Sequence, residues 1–194
     1  MIGNYIKAVA TAVSRSTAKL MKTGQTTSYR TGDDGDIEAG RNASFSVLAE
    51  NNPFGNTNRF TDELGTQTYT KNIVIDWSTY DGSTVLGYRR TLTGGNWNTL
   101  IDASQVVSIP PFTSGWRSPN LREVFNIMNY SITQPASYSP FNITNNLHTS
   151  TTDPNATNAL IGIGANGIML QYTKLTTLSL IPCRNFTVTG TTLS

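Results

Sequence analysis

Apolar residues recur along this chain at several spacings, and each spacing predicts its own kind of element. At the start, Ile2, Ile6, Val9, Val13, Ser16 and Leu20 alternate steps of four and three, the seam of a heptad repeat. Residues 1–22 are therefore expected to form an amphipathic helix. Ile and Val at the seam suit a small parallel bundle, with Ile2, Ile6, Val9, Val13 and Leu20 as the oligomerisation positions. About three heptads is short for a free-standing coiled coil, so the following domain must help to hold it. The alternative is a helix docked on its own domain or on a neighbouring subunit.

Two further helices carry the period of 3.6. Leu121, Val124, Phe125 and Met128 lie at i, i+3, i+4 and i+7, one buried face of a helix over about 119–129. Ser118 is the expected N-cap and Pro119 the first helical residue; Arg122, Asn126 and Asn129 fall outside. Gly94-Gly95 breaks the chain before a second helix from about 97 to 105, with Trp97, Leu100 and Ile101 facing inward. Shorter apolar runs predict strands near 43–49, 66–76 and 84–92, the last with Val85, Gly87 and Arg89 on one face and Leu86, Tyr88 and Arg90 on the other. Runs at 159–163, 167–172, 176–181 and 185–189 predict a closing antiparallel set. Residues 23–40 read as loop, and 131–158, with Pro135, Pro140 and Pro154, as a long one. The expected architecture is α+β: an N-terminal amphipathic helix over 1–22, then one domain over 23–194 with two helices and antiparallel strands.

Composition narrows the function. Thr, Asn and Ser fill about a third of the 194 positions and charged residues only 13%, a polar surface with many uncharged hydrogen-bonding groups. Extracellular fibres, lectin-like modules and virion proteins share this bias. A net charge of +2 is too small to argue for nucleic acid. No apolar run reaches membrane-spanning length, and no secretory signal is evident at the start. One cysteine, Cys183, excludes a disulfide within the chain.

Few residues suggest chemistry. Asp33, Asp34 and Asp36 form a dense carboxylate cluster that could offer oxygens to calcium; Asx-turn capping of a tight loop is the alternative. His148 is the only histidine, with Ser150 and Asp153 near it in sequence, but loop neighbours rarely build a triad. An enzyme is not expected. Gly162-x-Gly164-x-x-Gly167 matches a dinucleotide fingerprint in letters only, since no βαβ unit surrounds it. Trp97 and Trp116 are expected in the core. Tyr130, Tyr138, Asn142, Asn145, Asn146 and His148 in the long loop are the candidate ligand-binding surface.

The stretch Trp116-Arg117-Ser118-Pro119-Asn120-Leu121-Arg122-Glu123-Val124 resembles the Trp-Arg-Leu-Pro-Asn-x-x-Glu-Leu signature of the bacterial collagen-like adhesin C-terminal domain family, which has a C-type-lectin-like fold. Thr23–Tyr29 and Gly32–Asp36 resemble its opening, Asn58–Asp62 its Arg-Phe-Thr-Asp strand start, Asn96–Leu100 its Trp-led first helix, and Cys183-Arg184 its arginine-bearing last strand. The chain departs from the pattern at Ser118 and Val124, and at Leu147–Thr151, where the family has Tyr-Trp-Ser-Ser-Thr. The resemblance implies a C-type-lectin-like domain, a trimer and binding rather than catalysis. An adhesin on a bacterial surface would need an export address, so the expected setting is a phage virion. There the chain would form a homotrimer, contact other virion proteins and bind a host surface glycan or polymer. A capsid or tail decoration protein without a ligand, or a bacterial surface adhesin, are the alternatives.

Overall fold

The computed structural model describes residue 31 and residues 52–90, 93–129, 137–141, 143–152, 158–161 and 168–194. The predicted N-terminal helix, the 43–49 strand, the Asp33, Asp34 and Asp36 cluster, and the 162–167 glycine run lie outside the described residues. So do Tyr130, Asn142 and Asp153.

Isoleucine and valine in an unbroken run form the middle of the molecule. β1 (Phe60–Thr61), β2 (Ile73–Asp76), β3 (Thr84–Arg89), β8 (Cys183–Thr189) and β9 (Thr192–Leu193) make one antiparallel sheet in the order β1-β2-β3-β8-β9. Register sets Ile75 opposite Gly87 and Gly87 opposite Arg184. All four residues of β2 are buried, so at this strand the sheet is covered on both faces, as a continuous apolar run rather than strict alternation requires.

Successive residues on each strand serve different cores. Val74, Leu86, Tyr88 and Cys183 face a cluster with Phe60, Val124, Ile127, Phe141 and Leu147. Ile73, Ile75, Val85 and Phe186 face a second cluster with Trp77, Phe112 and Trp116. Gly87 sits between them because nothing larger fits. A Cβ there would lie 2.5 Å from Phe186 Cε2 and 2.8 Å from Ile75 Cδ1.

The two helices of the expected α+β layout are present, and the second departs from its expected form. α1 (Trp97–Gln105) begins at Asn96, whose side chain accepts from Thr99 N at 3.0 Å. α2 is shorter than the apolar spacing predicted, Leu121–Phe125, and its N-cap is Asn120 rather than Ser118. Asn120 Oδ1 accepts from Glu123 N, and Glu123 Oε2 accepts from Asn120 N, a reciprocal capping box. Pro119 is thereby outside the helix, and its carbonyl takes a hydrogen bond from Ser150 N. After Phe125 the chain tightens: Ile127 N and Met128 N donate to Val124 O and Phe125 O, the three-residue reach of a 3₁₀ turn. Asn129, expected outside, is buried.

The 66–76 strand is also shorter than expected. Residues 62–69 instead wrap around Asp62, whose carboxylate accepts from Leu64 N, Thr66 N, Thr66 Oγ1, Thr68 Oγ1 and Tyr69 N. Tyr69 and Asn72 take left-handed φ values of 52° and 56°, so only Ile73–Asp76 is extended. Two small ribbons complete the described fold. β4 (Thr93–Gly95) pairs with β7 (Leu178–Leu180), and β5 (Asn158–Ile161) pairs with β6 (Leu170–Thr173), both antiparallel.

Candidate functional site

The β4–β7 ribbon carries a third backbone segment on its far side. Leu147 bridges Ser179 in parallel; Ser179 N donates to Asn146 O at 3.0 Å and His148 N donates to Ser179 O at 2.8 Å. On its other side Ser179 lies opposite Gly94. Gly94, Ser179 and residues 146–148 thus form a small floor, and the groove above it opens to solvent.

This groove has a volume of about 460 Å³ and is lined by Gly94, Thr144, Asn145, Asn146, Thr177, Leu178 and Ser179. Amides, hydroxyls and exposed backbone supply both donors and acceptors. None of these side chains titrates near neutral pH. Gly94 leaves the floor open at one end, where an added Cβ would meet only Leu178 O at 3.8 Å. Asn146 is held in place by its Nδ2, which donates to the Tyr172 hydroxyl at 2.9 Å.

Trp97 braces the same region from beneath α1. Its indole N–H donates to Thr149 O at 2.7 Å, its backbone N–H donates to Lys174 O, and the Lys174 ammonium lies 4.5 Å from the ring centroid. These contacts tie the 147–149 segment, the β6–β7 turn and the start of α1 together; Trp97 is only partly buried and joins neither core cluster, which corrects the core position expected for it.

Of the candidate ligand-binding residues, Asn145 and Asn146 lie on the groove. Tyr138 and His148 do not: both are buried, at 3% and 1% exposure, which corrects the expectation of an exposed surface there. Tyr138 packs against Phe60, with the Arg59 guanidinium 4.8 Å from its ring centroid. His148 Nε2 is 3.0 Å from Thr176 O. A carbonyl only accepts, so Nε2 carries the proton and Nδ1 is the bare nitrogen, buried without a hydrogen-bond partner. Burial holds this imidazole below its ordinary pKa of 6.5, against the Thr176 carbonyl. The ring therefore fastens the β6–β7 turn.

Thr144, Thr177, Leu178 and Ser179 were not singled out from sequence. Single polar residues in a Thr- and Ser-rich chain carry no distinguishing signal, and only the pairing of β7 with two other segments gathers them. Among the described residues no group of three or more His, Cys, Asp or Glu side chains is placed to hold a metal ion. Nor is any described helix long and apolar enough to cross a membrane. No protein-family model and no curated protein matches the chain.

Proposed function

We propose that this chain is a non-enzymatic binding module with a C-type-lectin-like domain, related to the collagen-like adhesin C-terminal domains. It engages an uncharged, hydroxyl-rich ligand, a surface glycan or polymer, through the groove between Gly94, Asn145–Asn146 and Thr177–Ser179. The supporting observation is the lining: amides, hydroxyls and one apolar side chain, the donors and acceptors that sugar hydroxyls pair with. In this reading the module is a virion protein, trimeric through the Ile2–Leu20 seam. Three linked sites then raise avidity without new contacts at any one of them.

A glycan array and a host-cell binding assay test the reading with wild type and Gly94→Arg. The substitution points a long side chain into the groove at a site with room for a Cβ. Binding by wild type that the variant loses is the expected result; equal binding by both removes the groove from the account. Light scattering of a chain lacking residues 1–22 tests the seam, which predicts a smaller oligomer.

A second reading rests on a different observation. Ile168, Met169 and Leu170 at the start of β6 are 50%, 50% and 37% exposed, and Leu175 is 81% exposed. An apolar ribbon of this kind suits a decoration protein packed between neighbours. Particles that lose stability without the chain, while the isolated chain binds no glycan, would favour it.

A further inference from the structure

Among the described residues Arg184 has no acid partner of the kind a half-buried arginine ordinarily has. Its guanidinium carbon lies 4.9 Å from the Phe186 ring centroid and 5.3 Å from that of Phe112. Those two rings meet edge to face at 4.9 Å and are themselves buried. Gly115, at φ 80°, passes close enough that a Cβ there would touch Arg184 Nε at 3.5 Å. The guanidinium thus lies over two rings and is held along its stem, with no carboxylate or carbonyl among the described residues taking its N–H groups. Elsewhere the described arginines and lysines with acid partners are Arg59 with Asp76, Lys71 with Glu63 and Arg117 with Glu123.

A second cation shares this face. Arg184 lies opposite Gly87, and Arg89 follows Gly87 by two residues on β3, so the pleat sends both arginines to the same side as diagonal neighbours. Arg89 is also only partly exposed and also lacks an acid partner among the described residues. Two arginines set as diagonal neighbours, with no carboxylate of the described residues between them, repel each other unless an anion joins them. Thr113 and Ser114, both exposed, precede Gly115 in the same loop and add hydroxyl donors nearby.

The geometry points to an oxyanion-binding site centred on the Arg184 guanidinium, with Arg89 as the second positive charge, taking a carboxylate or phosphate group in a two-pronged hydrogen bond. Contact with both rings limits the movement of the guanidinium and leaves N–H groups for the ligand. The site is separate from the uncharged groove and stands whether or not that groove binds a glycan.

The test follows the arginine Nε–Hε resonances of the ¹⁵N-labelled full chain during titration with inorganic phosphate and, separately, acetate. Sodium chloride holds the ionic strength constant. One resonance should shift saturably and be absent in both Arg184→Gln and Arg184→Lys; in Arg184→Lys, which keeps the charge but not the fork, the remaining Arg89 resonance should report binding about tenfold weaker. Saturation by phosphate alone assigns a tetrahedral group, and by acetate alone a carboxylate. If Arg184→Gln fails to fold, Arg184→Lys removes the same resonance and gives the same assignment. No saturable shift with either probe, or binding equally tight after loss of the guanidinium, would overturn the site.

Discussion

Arg59 and Asp76 meet deep inside the described fold, with side chains 2% and 0% exposed. Arg59 donates from Nε and Nη2 to the two carboxylate oxygens at 2.9 and 2.8 Å, and Nη2 also donates to Asn126 O. Asn126 Nδ2 and Ser78 Oγ complete the ring of donors around Asp76. Such a pair stabilises little against an apolar replacement, but halving it strands a charge. Asp76→Asn is expected to destabilise the fold by about 3–5 kcal/mol, read from the urea midpoint at neutral pH. A change below 1 kcal/mol would mean that Arg59 reaches another acceptor. The neighbouring residues have jobs of the same kind: Thr61 Oγ1 accepts from the Trp77 indole at 2.8 Å, and Asp62 gathers its loop. The Asn58–Asp62 motif was legible as letters, whereas its partner Asp76 was not, because only the β1–β2 register brings them together. Tyr138 and His148 were misplaced for a related reason: in a stretch rich in Asn, Ser and Thr there is no apolar period to announce which side chains turn inward.

At the scale of the element, α1 and α2 show where local signals suffice and where they do not. Gly94-Gly95 and the Trp97, Leu100, Ile101 spacing were enough to place α1 at its observed bounds. For α2 the apolar period runs on to Met128, yet the helix stops at Phe125. Beyond it, the Asn126 carbonyl is taken by Arg59 and its carboxamide by Asp76, a tertiary demand that outweighs helix propensity. The cap moved for a local reason: only Asn120 has Glu123 three residues on to close the box, while Ser118 Oγ is buried without a hydrogen-bond partner. Asn120→Ala should therefore cost about 1 kcal/mol, and Ser118→Ala should cost less, or add stability by removing a buried unpaired hydroxyl. Thermal melts of the two variants decide between the caps. Short strands were found by their apolar runs, but their order, with β8 inserted beside β3, depends on pairing between residues about a hundred positions apart.

For the whole molecule the sharpest dependence is on acid. His148 is buried neutral, so its folded pKa is depressed while the unfolded chain titrates near 6.5. Below that value the unfolded state binds the extra proton, and stability falls as pH drops from 6.5 toward the folded pKa, then levels. Glu123 adds a second, lower stage. Burial raises its pKa, but the two hydrogen bonds from Arg117 and one from Asn120 N outweigh it, leaving the carboxylate below its usual 4.5. Its contribution is present above pH 4.5 and is lost as pH falls through the folded value. Urea midpoints measured from pH 7.5 to 3 should show both stages, and His148→Gln should remove the upper one alone. An unchanged upper slope in that variant would place the titration elsewhere. The α+β class and the two-helix plan were readable in advance because they follow from apolar spacing. The groove was not, since it is assembled from single polar residues on three segments that meet only through β7.

Cys183 occupies the middle of the sheet, fully buried, with Sγ 3.8 Å from Glu123 Oε2. Burial and that neighbouring carboxylate lift its thiol well above the ordinary 9.0, so it is both shielded and poorly nucleophilic while β3 and β8 stay paired. As the chain's sole sulfhydryl, it is a built-in clock: a maleimide in excess can mark each molecule once, at the moment the sheet parts. Labelling that tracks the unfolding rate would time cooperative opening, and immediate labelling under native conditions would reveal that this seam gapes on its own.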